Sequence, residues 1–219
     1  MVLIAKLSLA VAIVALAVGA ARADTIRYQN GGTPNTIAYS FTAQSTGDVI
    51  AYFAGSTAGY EESLGLMDNG VLTSAGFGLD DHTASIGQSF DLGHVTAGDK
   101  LTFVLDITSP SLGYVYSDPT MNAAYDGSID TGGYDHIYSA AYKTPTPSLP
   151  GVPAGTYVAF EDLPFSTANF DYFDETFVVT NVATNAPAKT AVPEAGTVAL
   201  IGAGLGVMAL LRRRKPARI

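Results

Sequence analysis

Between Asp24 and Ala191, apolar residues recur at alternate positions in short runs, and Gly, Asp, Asn and Ser separate the runs. Val49, Ala51 and Phe53 alternate with polar or small neighbours, and so do Leu101, Phe103 and Leu105. Successive side chains of a strand point to opposite faces, so this period of two predicts strands with one buried face. The candidates are Thr25–Gln29, Thr36–Ala43, Asp48–Ala54, Tyr60–Met67, Val71–Gly76, Gln88–Leu92, Lys100–Ile107, Asp135–Tyr142, Thr156–Glu161 and Thr176–Val182. Asp68-Asn69-Gly70, between Met67 and Val71, predicts a tight hairpin, because Asn-Gly accepts the positive φ of a type I′ turn. Gly98-Asp99 sets up another turn before Lys100. No segment of this body sustains a helical period. Short strands at this spacing predict an all-β body, a single jelly-roll-like β-sandwich. Ser109–Gly133 reads as a loop, and so does Thr144–Pro153 with its prolines at 145, 147, 150 and 153. Ala183–Ala191 reads as a plain linker.

The two ends carry a different pattern. Met1–Ala23 has Lys6, an apolar run from Leu7 to Ala20, and Ala21-Arg22-Ala23 before Asp24. That layout predicts a secretory signal helix over residues 1–23, cut after Ala23. At the other end, Ala195–Leu211 is an uncharged apolar run, preceded by Val192-Pro193-Glu194 and followed by Arg212, Arg213, Arg214 and Lys215. A helix over 195–211 would reach about 25 Å, a marginal span for a hydrocarbon core of about 30 Å. The basic end is expected to stay cytoplasmic. Gly202 and Gly206 form one small-residue pair that would let two such helices approach. Gly202, Gly204 and Gly206 make no dinucleotide fingerprint, since no strand-turn-helix unit surrounds them. The expected organisation is therefore a signal peptide at 1–23, a β-sandwich domain at 24–182, a linker at 183–191 and a tail at 192–219.

The tail resembles the PEP-CTERM sorting signal, also catalogued as the ice-binding protein C-terminal domain. The order Pro-Glu, apolar span, arginine cluster carries the resemblance. Ala195 stands where that family usually has a second proline. The resemblance implies an exported protein, first anchored in the inner membrane by its C-terminal helix. It also implies recognition by an exosortase-type processing enzyme and release to the cell surface or exterior.

Composition narrows the chemistry. There is no cysteine, so disulfides, lipoprotein attachment and thiol nucleophiles are excluded. The net charge of −9 understates the acidity of the body, because most basic residues lie in the two ends. From Asp24 to Ala191, 19 Asp and Glu face only Arg27, Lys100, Lys143 and Lys189, a net of −15. Such a surface repels nucleic acid and favours divalent cations.

The carboxylates cluster near the end of the body. Glu161-Asp162 closes one predicted strand, and Asp171, Asp174 and Glu175 precede the last one. These five could gather at one end of the sandwich, where like charges repel unless a cation sits among them. Oxygen-only ligands suit Ca²⁺. The alternative is a solvated acidic loop. Adjacent acids on a strand point to opposite faces, so Glu161 and Asp162 are not expected to form a glycosidase pair. Asp130-Thr131-Gly132 spells an aspartic-protease tripeptide without the second carboxylate such enzymes need. Asp126 and Asp130 have the wrong spacing for an EF-hand, and His82, His94 and His136 show no metal-ligand spacing, reading instead as surface or packed histidines. The tyrosines read as sandwich filling before they read as a sugar platform.

The stretch from Phe160 to Val182 also resembles a domain of unknown function found in many secreted bacterial proteins. Phe160-Glu161-Asp162-Leu163 carries that likeness, with Asp171-Tyr172 and Asp174 after it; Asn169 and Phe173 depart from the usual pattern. Phe90–Gly93, Ala97–Leu101 and Tyr134–Tyr138 extend it upstream. The resemblance implies calcium-supported adhesion or a matrix role. The expectation is a surface or extracellular-matrix protein that acts by binding, with extracellular polysaccharide among its partners. The alternative is a secreted carbohydrate-binding module or carbohydrate-active enzyme.

Overall fold

The structure, a computed structural model, describes residues 26–143 and 145–185. The predicted signal peptide at 1–23 and the sorting signal at 192–219, with their helices, lie outside the described residues. Within them the protein is all-β, with strands β1 (Ser40–Ala43), β2 (Gly47–Ser56), β3 (Glu61–Asp68), β4 (Val71–Gly78), β5 (Ser89–Val95), β6 (Lys100–Ser109), β7 (Gly113–Tyr116), β8 (Ile137–Tyr142), β9 (Gly155–Phe160), β10 (Glu175–Val179) and β11 (Val182–Asn185). Two antiparallel sheets result. The first runs β11-β1-β6-β3-β4, with β7 also paired to β6; the second runs β5-β2-β10-β9-β8.

Alternation explains the layering. In β2, Val49, Ala51 and Phe53 are buried while their neighbours are partly exposed. Leu64, Leu66, Leu101, Phe103 and Leu105 of the first sheet meet Phe53, Val158, Phe160, Phe177 and Val179 of the second in one core. The opposite face of the second sheet is covered too. Tyr157, Ala159 and Val178 pack there against Leu149 and Val152 of the proline-rich loop and against Tyr172. Every residue of β10 is therefore buried. The Asn69-Gly70 turn has φ of 48° and 86°, the signs a type I′ hairpin needs.

Several boundaries differ from the sequence expectation. Ile26–Gln29 forms no strand; Tyr28 instead sets its ring at a steep angle against Tyr138 and Tyr172, with centroids 5.3 and 4.6 Å away. Only the last four residues of Thr36–Ala43 are strand. The Ser109–Gly133 loop contains β7 and a 3-10 turn at Pro119–Met121. Thr176–Val182 is two strands, not one, because Asn181 turns the chain at φ 61°. The linker predicted from Ala183 begins later, since Ala183–Asn185 pairs with β1. Their β-propensity is weak, and the partner strand recruits them.

The strand ends gather at one pole. β2 ends at Ser56, β9 ends at Phe160, and β10 begins at Glu175, whose register partners are Ser56 and Phe160. β3 of the facing sheet begins there as well, at Glu61-Glu62.

Candidate metal centre

The hairpin of β9 and β10 builds the centre. Its last ladder pair is Phe160 with Glu175, so Glu161 and Asp162 lie just past the strand and Asp174 just before its partner. Freed from the pleat, the two adjacent acids are not held to opposite faces. Glu161, Asp162 and Asp174 each bring a carboxylate oxygen within 4.8 Å of the other two. This corrects the expectation that Glu161 and Asp162 diverge, and its cause is the strand ending one residue early. The backbone N–H of Asp162 donates to Asp174 Oδ2 at 2.9 Å, which ties the two sides together.

The expectation of a solvated acidic loop also fails for these groups. Glu161, Asp162 and Asp174 are 0%, 3% and 5% exposed. Both Glu161 oxygens are buried without a hydrogen-bond partner. Burial first, and then the neighbouring Asp162 and Asp171 carboxylates, push the Glu161 carboxyl up to about 7. Burial and the charges of Asp162 and Glu161 raise Asp174 as well. A buried anion without a counter-charge costs several kcal/mol, so this cluster at neutral pH holds either protons or a cation. All donors are hard carboxylate oxygens, the set preferred by Ca²⁺.

The other two predicted ligands take different places. Asp171 is only half-buried, and its Oδ1 accepts the Phe173 N–H, closing its own turn. Glu175 is fully buried but lies toward Asp81 and Asp80, whose charges, after burial itself, raise its carboxyl well above the usual range.

A long loop supports the centre from outside. Tyr125 donates its hydroxyl to the Asp162 carbonyl. Asp126 Oδ1 accepts the Phe165 N–H at 2.9 Å and faces His136 Nε2 at 3.1 Å. The other ring nitrogen of His136 faces the Glu161 carbonyl at 2.8 Å, and the Glu161 N–H donates back to the His136 carbonyl. His136 is fully buried, whereas His82 and His94 are exposed. Asp130 sits on the surface, its Oδ1 accepting the Gly132 N–H.

Sequence reasoning missed Glu62. It is fully buried on β3, with both carboxylate oxygens unpartnered. Burial, then Asp162, Glu175 and Asp174, push its carboxyl far above the usual range. Its signal was available: Glu62, Leu64 and Leu66 share one parity, which places the acid on the core face. A second group of ligand-type residues, Asp80, Asp81 and His82, is hydrogen-bonded by its own turn and by the neighbouring strand β3. Asp80 Oδ1 accepts from the His82 N–H and the Thr83 hydroxyl, and Asp81 Oδ1 accepts from the Glu62 N–H. No family model matches the chain, and neither does any curated protein or solved structure compared with it.

Proposed function

We propose that this chain is an exported bacterial surface or extracellular-matrix protein. On this reading it is sorted through its PEP-CTERM-type tail by an exosortase-type enzyme, and its body binds or adheres rather than catalyses. Ca²⁺ held by Glu161, Asp162 and Asp174 keeps that body in shape. One observation carries the reading: three converging carboxylates, closed to solvent, with the oxygens of Glu161 unpartnered. A substrate has no route to groups so buried, so a structural cation suits them better than acid–base work. The nested pairing of β1 with β11 and β2 with β10 supports a jelly-roll-like sandwich as the finer description. Intact-mass measurement of the protein from its native host tests the sorting. The expected species begins at Asp24 and lacks the basic tail; a full-length species in the cytoplasm would end the proposal.

A second reading, a carbohydrate-binding module, is favoured by the outer face of the first sheet. Gly65 faces Phe77 across the ladder, and a Cβ there would sit 2.6 Å from Phe77 Cε1. The missing side chain lets the Phe77 ring lie close to the sheet. Tyr114 lies parallel to that ring, at 5.6 Å and 7°, and Tyr116 flanks it at 6.2 Å. Tyr114 remains 45% exposed. A neutral polysaccharide suits this strip, because a body of net −15 repels polyanions. Truncating an anchoring aromatic costs above roughly 1 kcal/mol, so Tyr114→Ala is expected to weaken retention on a neutral-polysaccharide affinity gel about fivefold to tenfold. Equal retention of both proteins, or none by the wild type, removes this reading.

A further inference from the structure

The turn after β4 keeps ligand capacity beyond its own hydrogen bonds. It carries Asp80, Asp81 and His82 in succession, and each offers one ligand atom within 4.8 Å of the other two. His82 Nδ1 faces Asp81 Oδ1 at 2.9 Å. Two ligands held about 2.1 Å from one ion lie roughly 3.0–3.4 Å apart, so an ion can replace the proton between these atoms with little movement. Asp80 Oδ1 accepts the His82 N–H and the Thr83 hydroxyl, while among the described residues no donor reaches Asp80 Oδ2. The backbone holds the group together, because the Thr83 and Ala84 N–H groups both donate to the Asp80 carbonyl.

The turn is anchored at the pole where β2 ends and β3 begins. The Asp81 N–H donates to the Glu62 carbonyl, and the Ser56 hydroxyl donates to Asp81 Oδ2 at 3.0 Å. The Asp81 side chain is 3% exposed, whereas that of His82 is 51% exposed. The group therefore has a buried end and an open end. A groove of about 580 Å³, lined by Phe53, Ser56, Asp81, His82 and Phe173 among others, reaches it from the surface. Arg27, the cation on that groove, is held over the Phe173 ring at 3.9 Å.

Glu175 lies behind the turn. It is the register partner of Ser56, whose hydroxyl holds Asp81. It is fully buried, neither of its carboxylate oxygens has a hydrogen-bond partner, and the charges that act on it are those of Asp81 and Asp80. Natural cores hydrogen-bond their buried polar groups, and each exception needs a reason. A cation at the turn is such a reason, because it gives the buried carboxyl a counter-charge. We propose that Asp80, Asp81 and His82 bind a divalent transition-metal ion, Zn²⁺ first among them, with Glu175 as the buried charge behind it. The imidazole decides the class of ion. A nitrogen donor suits Zn²⁺, Cu²⁺ or Ni²⁺, whereas Ca²⁺ and Mg²⁺ prefer oxygen alone. The inference uses none of Glu161, Asp162 and Asp174, and it does not rest on the calcium reading.

Isothermal titration of ZnCl₂ into the chelator-stripped full chain, with CaCl₂ present throughout, tests it. The wild type is expected to bind one Zn²⁺ ion. His82→Ala changes an exposed side chain, so the fold is expected to survive it. That variant is expected to bind zinc at least about a hundredfold more weakly, since deleting an outer partner alone costs about 10–100-fold. Asp80→Asn keeps the acceptor of the turn and is expected to weaken binding in the same direction. Glu175→Gln removes only the charge behind the ion and is expected to cost about tenfold. Asp174→Asn and His94→Ala are expected to bind zinc as the wild type does. A wild type that takes up no zinc, or a His82→Ala protein that binds it as tightly as the wild type, overturns the site. Zinc lost in His94→Ala instead assigns it to the exposed pair of His94 and Asp48 and overturns the site as well. Affinity untouched by Glu175→Gln overturns the part given to Glu175.

Discussion

Millimolar Ca²⁺ is expected to raise the melting temperature of the chelator-treated protein by roughly 5–10 °C, given calcium about a hundredfold above its dissociation constant. Such an excess stabilises the native state by about 2.7 kcal/mol, and a domain of this size gains about 2–4 °C per kcal/mol. The gain is expected to vanish in Asp174→Asn, because Asp174 is both a ligand candidate and the acceptor of the Asp162 N–H. The pH dependence has a definite sign. Glu161 titrates near 7 in the folded protein, against an ordinary value of 4.5. A carboxyl raised by folding contributes its full stability below its unfolded value, and that contribution is lost as the pH rises through its folded value. Glu62, Asp174 and Glu175 are raised as well, chiefly by burial, and push the same way. The chelated protein should therefore lose melting temperature from about pH 5 to pH 8, while the calcium-loaded protein holds level or gains. Differential scanning calorimetry at both ends of that window, with calcium and with chelator, checks this. A melting temperature that ignores calcium at pH 8 would remove the cation from the centre.

His136→Ala is expected to destabilise the protein by about 3–5 kcal/mol, the range for breaking a buried pair by deleting one partner. The change leaves Asp126 facing an apolar hole. Burial alone would raise the Asp126 carboxyl; the His136 ring and the Phe165 N–H outweigh it and hold it below the usual range. Deleting the ring removes the larger of these two supports. It also frees the Glu161 carbonyl from His136 Nδ1, so the loop under the candidate metal centre is expected to loosen. Urea unfolding followed by tyrosine fluorescence measures the loss. His136→Gln, which can still donate to Asp126, is expected to recover part of it. A midpoint unchanged by His136→Ala would show that the pair carries no net stability.

The strands with regular alternation could be read from the chain, because one buried face forces the period. β2 and β6 are the clear cases, and their alternating residues line the core. The Asn69-Gly70 turn was equally legible, since few residue pairs tolerate its backbone angles. β7 and β11 were not. Each is four residues long, and each exists because a neighbouring strand offers its edge. Ile26–Gln29 looks like a strand, but its aromatic pays more attention to Tyr138 and Tyr172 than to any ladder. The site divides in the same way. Glu161, Asp162 and Asp174 are close in sequence, so a hairpin was enough to foresee their meeting. Glu62 and Asp81 reach the same pole from the facing sheet and from a loop, and only the assembled fold brings them there.

Ser40 pairs with Asn185, and Ala43 with Val182, so among the described residues the first strand is completed by the last. The order of folding follows from this. A polypeptide that emerges from its amino end can form local hairpins early, β3 with β4 and then β6 with β7. Its opening strand has no outer neighbour until some 140 residues later, when β11 arrives. Long-range closure of this kind slows folding, because loop entropy is lost before any contact repays it. The edge of β1 is thus left bare longest, and a chain cut short of Val182 keeps it bare.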